Sequence, residues 1–310
     1  MLYTDAGAHD GPVPKKNIHI TLQSLPQLPA DSTSCVIPFS RAGNLILLKA
    51  SADTTAGNFI LDTGAPGLVL NLTYFRDYAA VADHGEEQSG ITGGGAAVVR
   101  TEVKSLQFGC ITTSNTEANL LSLGHIENLK GVKILGLLGV SLFRQFEMII
   151  DYENNLLYLH RFGKKDRLTY LSPHLNNGTL FTTVPFDMWN NKIVTSTILN
   201  GKKIRLIIDS GAESNLLDSR LPQSVFDNVE ILKRIKLNGT GDKKVEALYG
   251  NLSNLFIGGQ NTGILTVIIT NLEKTCLADN SCIDGILGFD FLSLHKIGFN
   301  FVTNKMYIWK

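Results

Sequence analysis

No stretch of this 310-residue chain runs for the roughly 18 uninterrupted apolar residues that a membrane-spanning helix requires. The longest candidate, GVKILGLLGVSLFRQFEMII at 131–150, is broken by Lys133, Arg144 and Glu147. Neither sign of charge is in excess, since 28 Lys plus Arg offset 28 Asp plus Glu, so no global field favours nucleic acid or an anionic membrane. There is no His-Glu-x-x-His and no Cys-x-x-Cys, so no metal is expected. The segment GVSLF around Ser141 is without the second glycine of a nucleophile elbow. The opening residues, MLYTDAGAHDGPVPKK, contain no basic-then-apolar leader. Export to a periplasm or the outside, with the leader absent from this chain, is the favoured expectation, and the cytoplasm is the alternative. Four cysteines leave both open. Cys276 and Cys282 bracket the polar loop LADNS, a spacing a disulfide could close; separate thiols are the other reading.

Glycine, in contrast, is plentiful at 29 residues beside 9 prolines, and runs of Val, Ile, Leu and Thr recur between turn residues. A mostly β chain follows. It also repeats itself. VIPFSRAGNLILLKA at 36–50 reads like TVPFDMWNNKIVTST at 183–197, and GLLGVSLFRQFEMIIDYENNLLYL at 136–159 matches GILGFDFLSLHKIGFNFVTNKMYI at 285–308 without a gap. Within those blocks Asp151 answers Asn300, and Tyr158 answers Tyr307. The chain divides into an extension at 1–35, a first copy at 36–160, a linker at 161–182 and a second copy at 183–310. Strands are expected at 44–50, 57–63, 96–109, 147–152 and 156–161, and in the second copy at 192–199, 204–209, 252–259, 265–270, 296–301 and 305–309. NIHITLQSL at 17–25 is a further candidate strand, and one short helix is expected in each copy, at 141–146 and 290–295.

Each copy carries an acid where an apolar strand ends: FILDTGAPGLVLN at 59–71 and RLIIDSGAESNLLDS at 205–219. An acid there is costly unless its charge or proton is needed. By ordinary residue frequencies roughly 0.1 to 0.2 Asp-[Ser/Thr]-Gly matches are expected in a chain of this length. Two, at equivalent repeat positions, are hard to attribute to accident. Taken singly, either Asp62 or Asp209 reads as a turn residue capping local backbone N–H groups. Taken together, equivalent turns of a duplicated fold can meet at a pseudo-twofold axis. Two carboxyls a few ångströms apart cannot both ionise cheaply, so one retains a proton beside a charged partner. That asymmetry suits hydrolysis: the carboxylate takes a proton from water while the acid hydrogen-bonds the scissile carbonyl. Gly64 and Gly211 would let backbone and water come close, and Thr63 and Ser210 supply hydroxyls that could bond across the axis.

Three features per copy make the chain resemble an aspartic peptidase of the retropepsin/pepsin superfamily, with both lobes in one chain. They are ILDTGA and IIDSGA; the Gly-rich turns TGGGAA at 92–97 and NGTGDK at 238–243; and the LLG at 137–139 and ILG at 286–288. The resemblance implies an all-β fold of two pseudo-twofold-related β-barrel lobes with a substrate cleft between them. It implies Asp62 and Asp209 as the catalytic dyad, with Thr63, Gly64, Ser210 and Gly211 supporting it. It also implies that Thr92, Gly93, Gly94 and Gly95, with Gly239, Thr240 and Gly241, form flap tips over an extended peptide. A plain hairpin turn is the other reading of TGGGAA; phosphate binding is disfavoured because no Gly-Lys-[Ser/Thr] follows. The chain departs from pepsin in carrying Ala65 and Ala212 where pepsin-like enzymes have Ser, and no flap tyrosine is evident beside TGGGAA. The expected activity is aspartic endopeptidase, acting as a monomer on peptide or unfolded protein without cofactor. The alternative is a catalytically silent peptide-binding or inhibitor module. Four Asn-x-[Ser/Thr] sites, at Asn71, Asn177, Asn238 and Asn251, matter only in a glycosylating pathway.

Overall fold

Residues with positive φ mark where the chain reverses, and they recur at matching places in both copies. Asp53 (φ 50°) turns the hairpin Leu45–Ala52/Thr55–Leu61, and Asn200 (φ 46°) turns Lys192–Leu199/Lys202–Ile208. Asn155 (φ 54°) and Asn304 (φ 53°) do the same for Phe146–Asp151/Leu156–Arg161 and Ile297–Asn300/Lys305–Trp309. Asp and Asn tolerate this left-handed region better than other side chains. The structure is a computed structural model and describes residues 33–81, 87–89, 95–97, 99–163, 170, 172–238, 244–273 and 282–310. The candidate strand at 17–25 lies outside them.

In the first copy a seven-stranded sheet runs Ser40–Ala42, Leu45–Ala52, Thr55–Leu61, Gly136–Leu138, Leu68–Asn71, Ile111–Leu121, Val99–Phe108. Its last strand returns to pair with Leu45–Ala52, Ala50 opposite Phe108, and closes a six-stranded barrel. The second copy matches this order strand for strand through Asp187–Trp189, Lys192–Leu199, Lys202–Ile208, Gly285–Leu287, Asn215–Asp218, Leu265–Thr270 and Lys244–Leu252. It then adds an eighth strand, Val229–Asn238, and among the described residues no pairing closes it. A third sheet joins the copies: Ser34–Pro38, Leu156–Arg161 and Phe146–Asp151 continue into Ile297–Asn300, Lys305–Trp309 and Phe181–Pro185. Its centre is the antiparallel pair Phe146–Asp151/Ile297–Asn300, where Ile149 faces Gly298. One face of this sheet, with Met148, Ile150, Leu157, Phe299 and Met306, enters an apolar core continuous with both copies.

The strand expected at 252–259 is interrupted. It stops at Leu252 and resumes as Phe256–Ile257, because Asn254 adopts φ 59°. Ile111–Leu121 is a strand that the sequence did not announce. Its buried positions include Thr113 and Thr116, whose hydroxyls bond each other at 3.3 Å. The expected helices appear as a 3₁₀ turn at Val140–Phe143 and an α-turn at Phe289–Leu292, each a residue earlier and shorter than anticipated. Further short helices occupy Leu72–Phe75, Gly124–Lys130 and Gln223–Phe226. The second of these stops on Gly131 in the left-handed conformation (φ 65°), as C-terminal glycines commonly do. No helix among the described residues is long and apolar enough to cross a membrane.

A disulfide joins Cys35 to Cys110, with Cα atoms 6.3 Å apart. Cys276, the expected partner of Cys282, lies outside the described residues. Of the glycosylation motifs, Asn71 is wholly buried, with its amide donating to Ile134 O at 2.9 Å, which excludes it as an acceptor.

Candidate active site

The strand Thr55–Leu61 runs parallel to Gly136–Leu138, and Lys202–Ile208 runs parallel to Gly285–Leu287. Where each strand ends, the next residue is the acid. Asp62 N donates to Leu138 O at 3.1 Å and Asp209 N to Leu287 O at 3.0 Å, so each acid is fixed against the apolar pair that precedes a glycine. That glycine has a steric reason. A Cβ on Gly139 would lie 2.6 Å from Ala65 O, and one on Gly288 would lie 2.5 Å from Ala212 O. Backbone packs so closely there that Val140 N reaches Ala65 O (3.0 Å) and Phe289 N reaches Ala212 O (2.8 Å).

The two turns then fold alike. Gly64 N and Ala65 N donate to Asp62 Oδ1 at 2.8 and 3.0 Å, and Gly211 N and Ala212 N donate to Asp209 Oδ1 at 2.8 and 3.2 Å. Between them a reciprocal network crosses the axis. Thr63 Oγ1 donates to Ile208 O (2.9 Å) and accepts from Ser210 N (2.9 Å). Ser210 Oγ donates to Leu61 O (2.8 Å) and accepts from Thr63 N (3.0 Å). Both hydroxyl residues are buried, so each bond replaces a hydration that the site cannot supply.

This crossing brings Asp62 and Asp209 side by side, within hydrogen-bonding reach of each other. A Cβ on Gly211 would stand 2.5 Å from both Cγ and Oδ1 of Asp62, and one on Gly64 would collide with the Asp209 carboxyl. Only glycine leaves room for the facing acid. Burial, reinforced by the charge of Asp209, raises the pKa of Asp62 well above its ordinary 3.8. Burial likewise raises Asp209, against the pull of the Gly211 N–H bond, the Asp62 bond and the positive charge of Lys192. Such a pair holds one proton between two carboxyls over a range where isolated acids would both be ionised.

Sequence reasoning missed a second layer of braces. Asn44 Nδ2 donates across the axis to Glu213 O at 3.3 Å, and Asn191 Nδ2 donates to Pro66 O at 3.3 Å. Pro66 and Glu213 are the residues that follow Ala65 and Ala212, so each asparagine holds the far end of the opposite turn. The signal was present: Asn44 and Asn191 occupy the same place in VIPFSRAGNLILLKA and TVPFDMWNNKIVTST. On one side only, an ion pair adds to the brace, with Lys130 Nζ 2.5 Å from Glu213 Oε2. Asp151 and Asn300 serve their own hairpin turns. Asp151 Oδ1 accepts from Asn154 N (3.0 Å) and Asn300 Oδ1 from Thr303 N (2.9 Å), away from the dyad.

Of the proposed flap residues, Thr92, Gly93, Gly94, Gly239, Thr240 and Gly241 lie outside the described residues. Gly95 opens the strand Gly95–Ala97, which pairs with Glu87–Ser89. Asn238 pairs with Lys244 in the hairpin Val229–Asn238/Lys244–Leu252. Among the described residues no group of three or more His, Cys, Asp and Glu is placed to hold a metal ion.

A family model described as aspartyl protease matches the chain in two tandem regions, residues 49–142 and 194–291. Each region contains one acid turn and one of the Gly-hydrophobic-hydrophobic-Gly segments that pack against it. No curated protein matches the chain.

Proposed function

The chain belongs to the aspartyl protease family, and from that premise we propose that it is an aspartic endopeptidase in which Asp62 and Asp209 form the catalytic dyad. The observation that carries this reading is the pair of carboxyls facing each other, each held by two turn N–H groups and cross-linked by Thr63 and Ser210. The positive charge of Lys192 favours the charged form of Asp209, and on this reading Asp209 is the carboxylate and Asp62 carries the shared proton. A water bound between them loses a proton to the Asp209 carboxylate as its oxygen attacks the scissile carbonyl. Asp62 meanwhile gives its proton to the carbonyl oxygen. Collapse of the tetrahedral intermediate returns the diol proton to Asp62 and passes the Asp209 proton to the departing amide nitrogen. The C–N bond breaks, leaving a new carboxyl and a new amine with the dyad restored.

The substrate on this reading is an extended peptide or unfolded protein segment lying between the lobes at 36–160 and 183–310. Duplication brings both acids into one chain, which favours a monomer. The Cys35–Cys110 disulfide supports an oxidising compartment outside the cytoplasm. Ala65 and Ala212 add no hydroxyl bond to favour the charged carboxyls, and both acids are raised, so activity is expected nearer neutral pH than in pepsin.

The test is cleavage of an unfolded casein substrate across pH 3 to 7, with and without a statine-containing peptide, which mimics the tetrahedral intermediate. Cleavage blocked by the statine peptide and absent in Asp62→Asn supports the proposal. Tight binding of that peptide without turnover at any pH would instead make the chain a silent binding module. A pH–rate optimum below about pH 3 would refute the near-neutral dyad.

A further inference from the structure

The sheet shared by the two copies has a second face, turned away from the core, and there the copies diverge. Strand register places Glu147 between His160 and Asn300, and Ile149 between Tyr158 and Gly298. Ser34 and Val36 extend the row beside His160 and Tyr158. By the internal repeat, Lys296 stands where Glu147 does, Gly298 where Ile149 does, and Trp309 where His160 does.

The second copy closes its half of this face. A Cβ on Gly298 would lie 3.2 Å from both Ile149 Cγ1 and Tyr307 Cδ2, with Trp309 Cζ3 at 3.4 Å, so glycine lets these neighbours close over the strand. Phe181 packs 5.5 Å from the rings of both Tyr307 and Trp309. Its lysine is neutralised, since Lys296 Nζ lies 2.7 Å from the buried carboxylate of Asp151. Among the described residues the first copy leaves part of its half uncovered. A cavity of about 120 Å³ remains, lined by Ser34, Glu147, Tyr158, His160, Tyr170 and His174. Glu147 is only 3% exposed. Its Oε2 accepts a long bond from Asn300 Nδ2 at 3.4 Å, the Ser172 hydroxyl also favours its charged form, and among the described residues no lysine or arginine pairs with it. The walls are rings: Tyr170 stacks on His160 at 3.5 Å, and His174 lies 4.5 Å from Tyr158. Because the duplicate position is filled, the fold itself does not impose this cavity.

We propose that the cavity is a binding site for a small organic cation of the alkylammonium class, with Glu147 as its counter-ion and the surrounding rings as its walls. A buried carboxylate gains most from a partner that brings a full positive charge. Aromatic rings attract an ammonium through their quadrupoles, and Tyr158 and Tyr170 stand in the wall of this cavity. One carboxylate among rings offers too few oxygens for calcium or magnesium, which take six or more ligands, largely oxygen. Burial pushes the Glu147 carboxyl up, against the bonds from Ser172 and Asn300, and a bound cation would pull it down.

The experiment titrates the full chain with methylammonium chloride against sodium chloride at equal ionic strength, following thermal midpoint and heat of binding. A saturable response to methylammonium alone is expected. Glu147→Gln should remove it or weaken the apparent Kd at least about tenfold. His160→Trp, which copies the filled half of the sheet, should do the same by occupying the space, and it guards against Glu147→Gln acting through folding. Identical responses to the two salts, or a saturable methylammonium response that survives in both folded variants, would overturn the proposal.

Discussion

In the N-terminal half Gly64 N meets Asp62 Oδ1 at 2.8 Å, and in the C-terminal half Gly211 N meets Asp209 Oδ1 at the same 2.8 Å. The hydroxyl bonds between the halves agree as closely, at 2.9 and 2.8 Å to carbonyls and 2.9 and 3.0 Å from amides. At the far corner of each sheet the likeness ends. Gly109 (φ 54°) and Gly258 (φ 60°) both turn the chain over a β-branched residue, Ile37 or Val184. Just before Gly109 the first half closes its barrel at Ala50–Phe108, and just after it forms a disulfide through Cys110. Beyond Gly258 the second half has Gly259 and a two-stranded ribbon, Phe256–Ile257/Gln260–Asn261, which Thr197 holds by donating to Phe256 O. Geometry is held equal where the two carboxyls meet and drifts at the far corners, away from them.

The largest expected effect tests the equal part. Asp62→Asn and Asp209→Asn should each lower kcat by about 10³-fold or more, measured on one peptide substrate. The same variants should gain stability. A carboxyl whose folded-state pKa is raised leaves the fold most stable below the ordinary value of 3.8, and stability is lost as pH climbs toward the raised value. An amide does not ionise, so Asp62→Asn should melt above the parent at neutral pH and level with it near pH 3, which calorimetry would show.

Next comes the unequal part. The Cys35–Cys110 bond closes a separation of 75 residues, so Cys35→Ala with Cys110→Ala should cost about 4 kcal/mol in denaturant unfolding. The activity of the protein that remains folded should be unchanged. A smaller loss, about 10²-fold in kcat, is expected from Gly64→Ala and from Gly211→Ala, because each new methyl displaces the facing carboxyl. Unequal losses would show that the turns are less alike in function than in geometry. Smallest is the brace. Thr63→Val and Ser210→Ala should each cost about 2 kcal/mol of stability, since each leaves a buried amide and a buried carbonyl without a partner.

Much of this is legible in the sequence, because duplication lets one half check the other. ILDTGA and IIDSGA named the two acids and their glycines, and LLG and ILG named the segments that pack on them. The Asn44 and Asn191 braces were visible only as a matched letter in an alignment, since nothing local to an asparagine reveals a bond spanning more than a hundred residues. Ile111–Leu121 was missed because Thr113 and Thr116 take buried positions that periodicity assigns to apolar residues. The Cys35–Cys110 bond could not be inferred from spacing, as one cysteine enters the shared sheet and the other follows the corner glycine. The cavity at Glu147 depends on what covers a sheet face, and strand patterns carry no record of that.

Whether Asp62 and Asp209 work as one unit is tested most directly by kcat for Asp62→Asn, Asp209→Asn and the double variant. Residues that share one proton and one water lose their contribution together, so the double variant should be no slower than either single variant. A double variant slower by the product of the two single losses, or a single variant that retains parental turnover, would show that the two acids act independently.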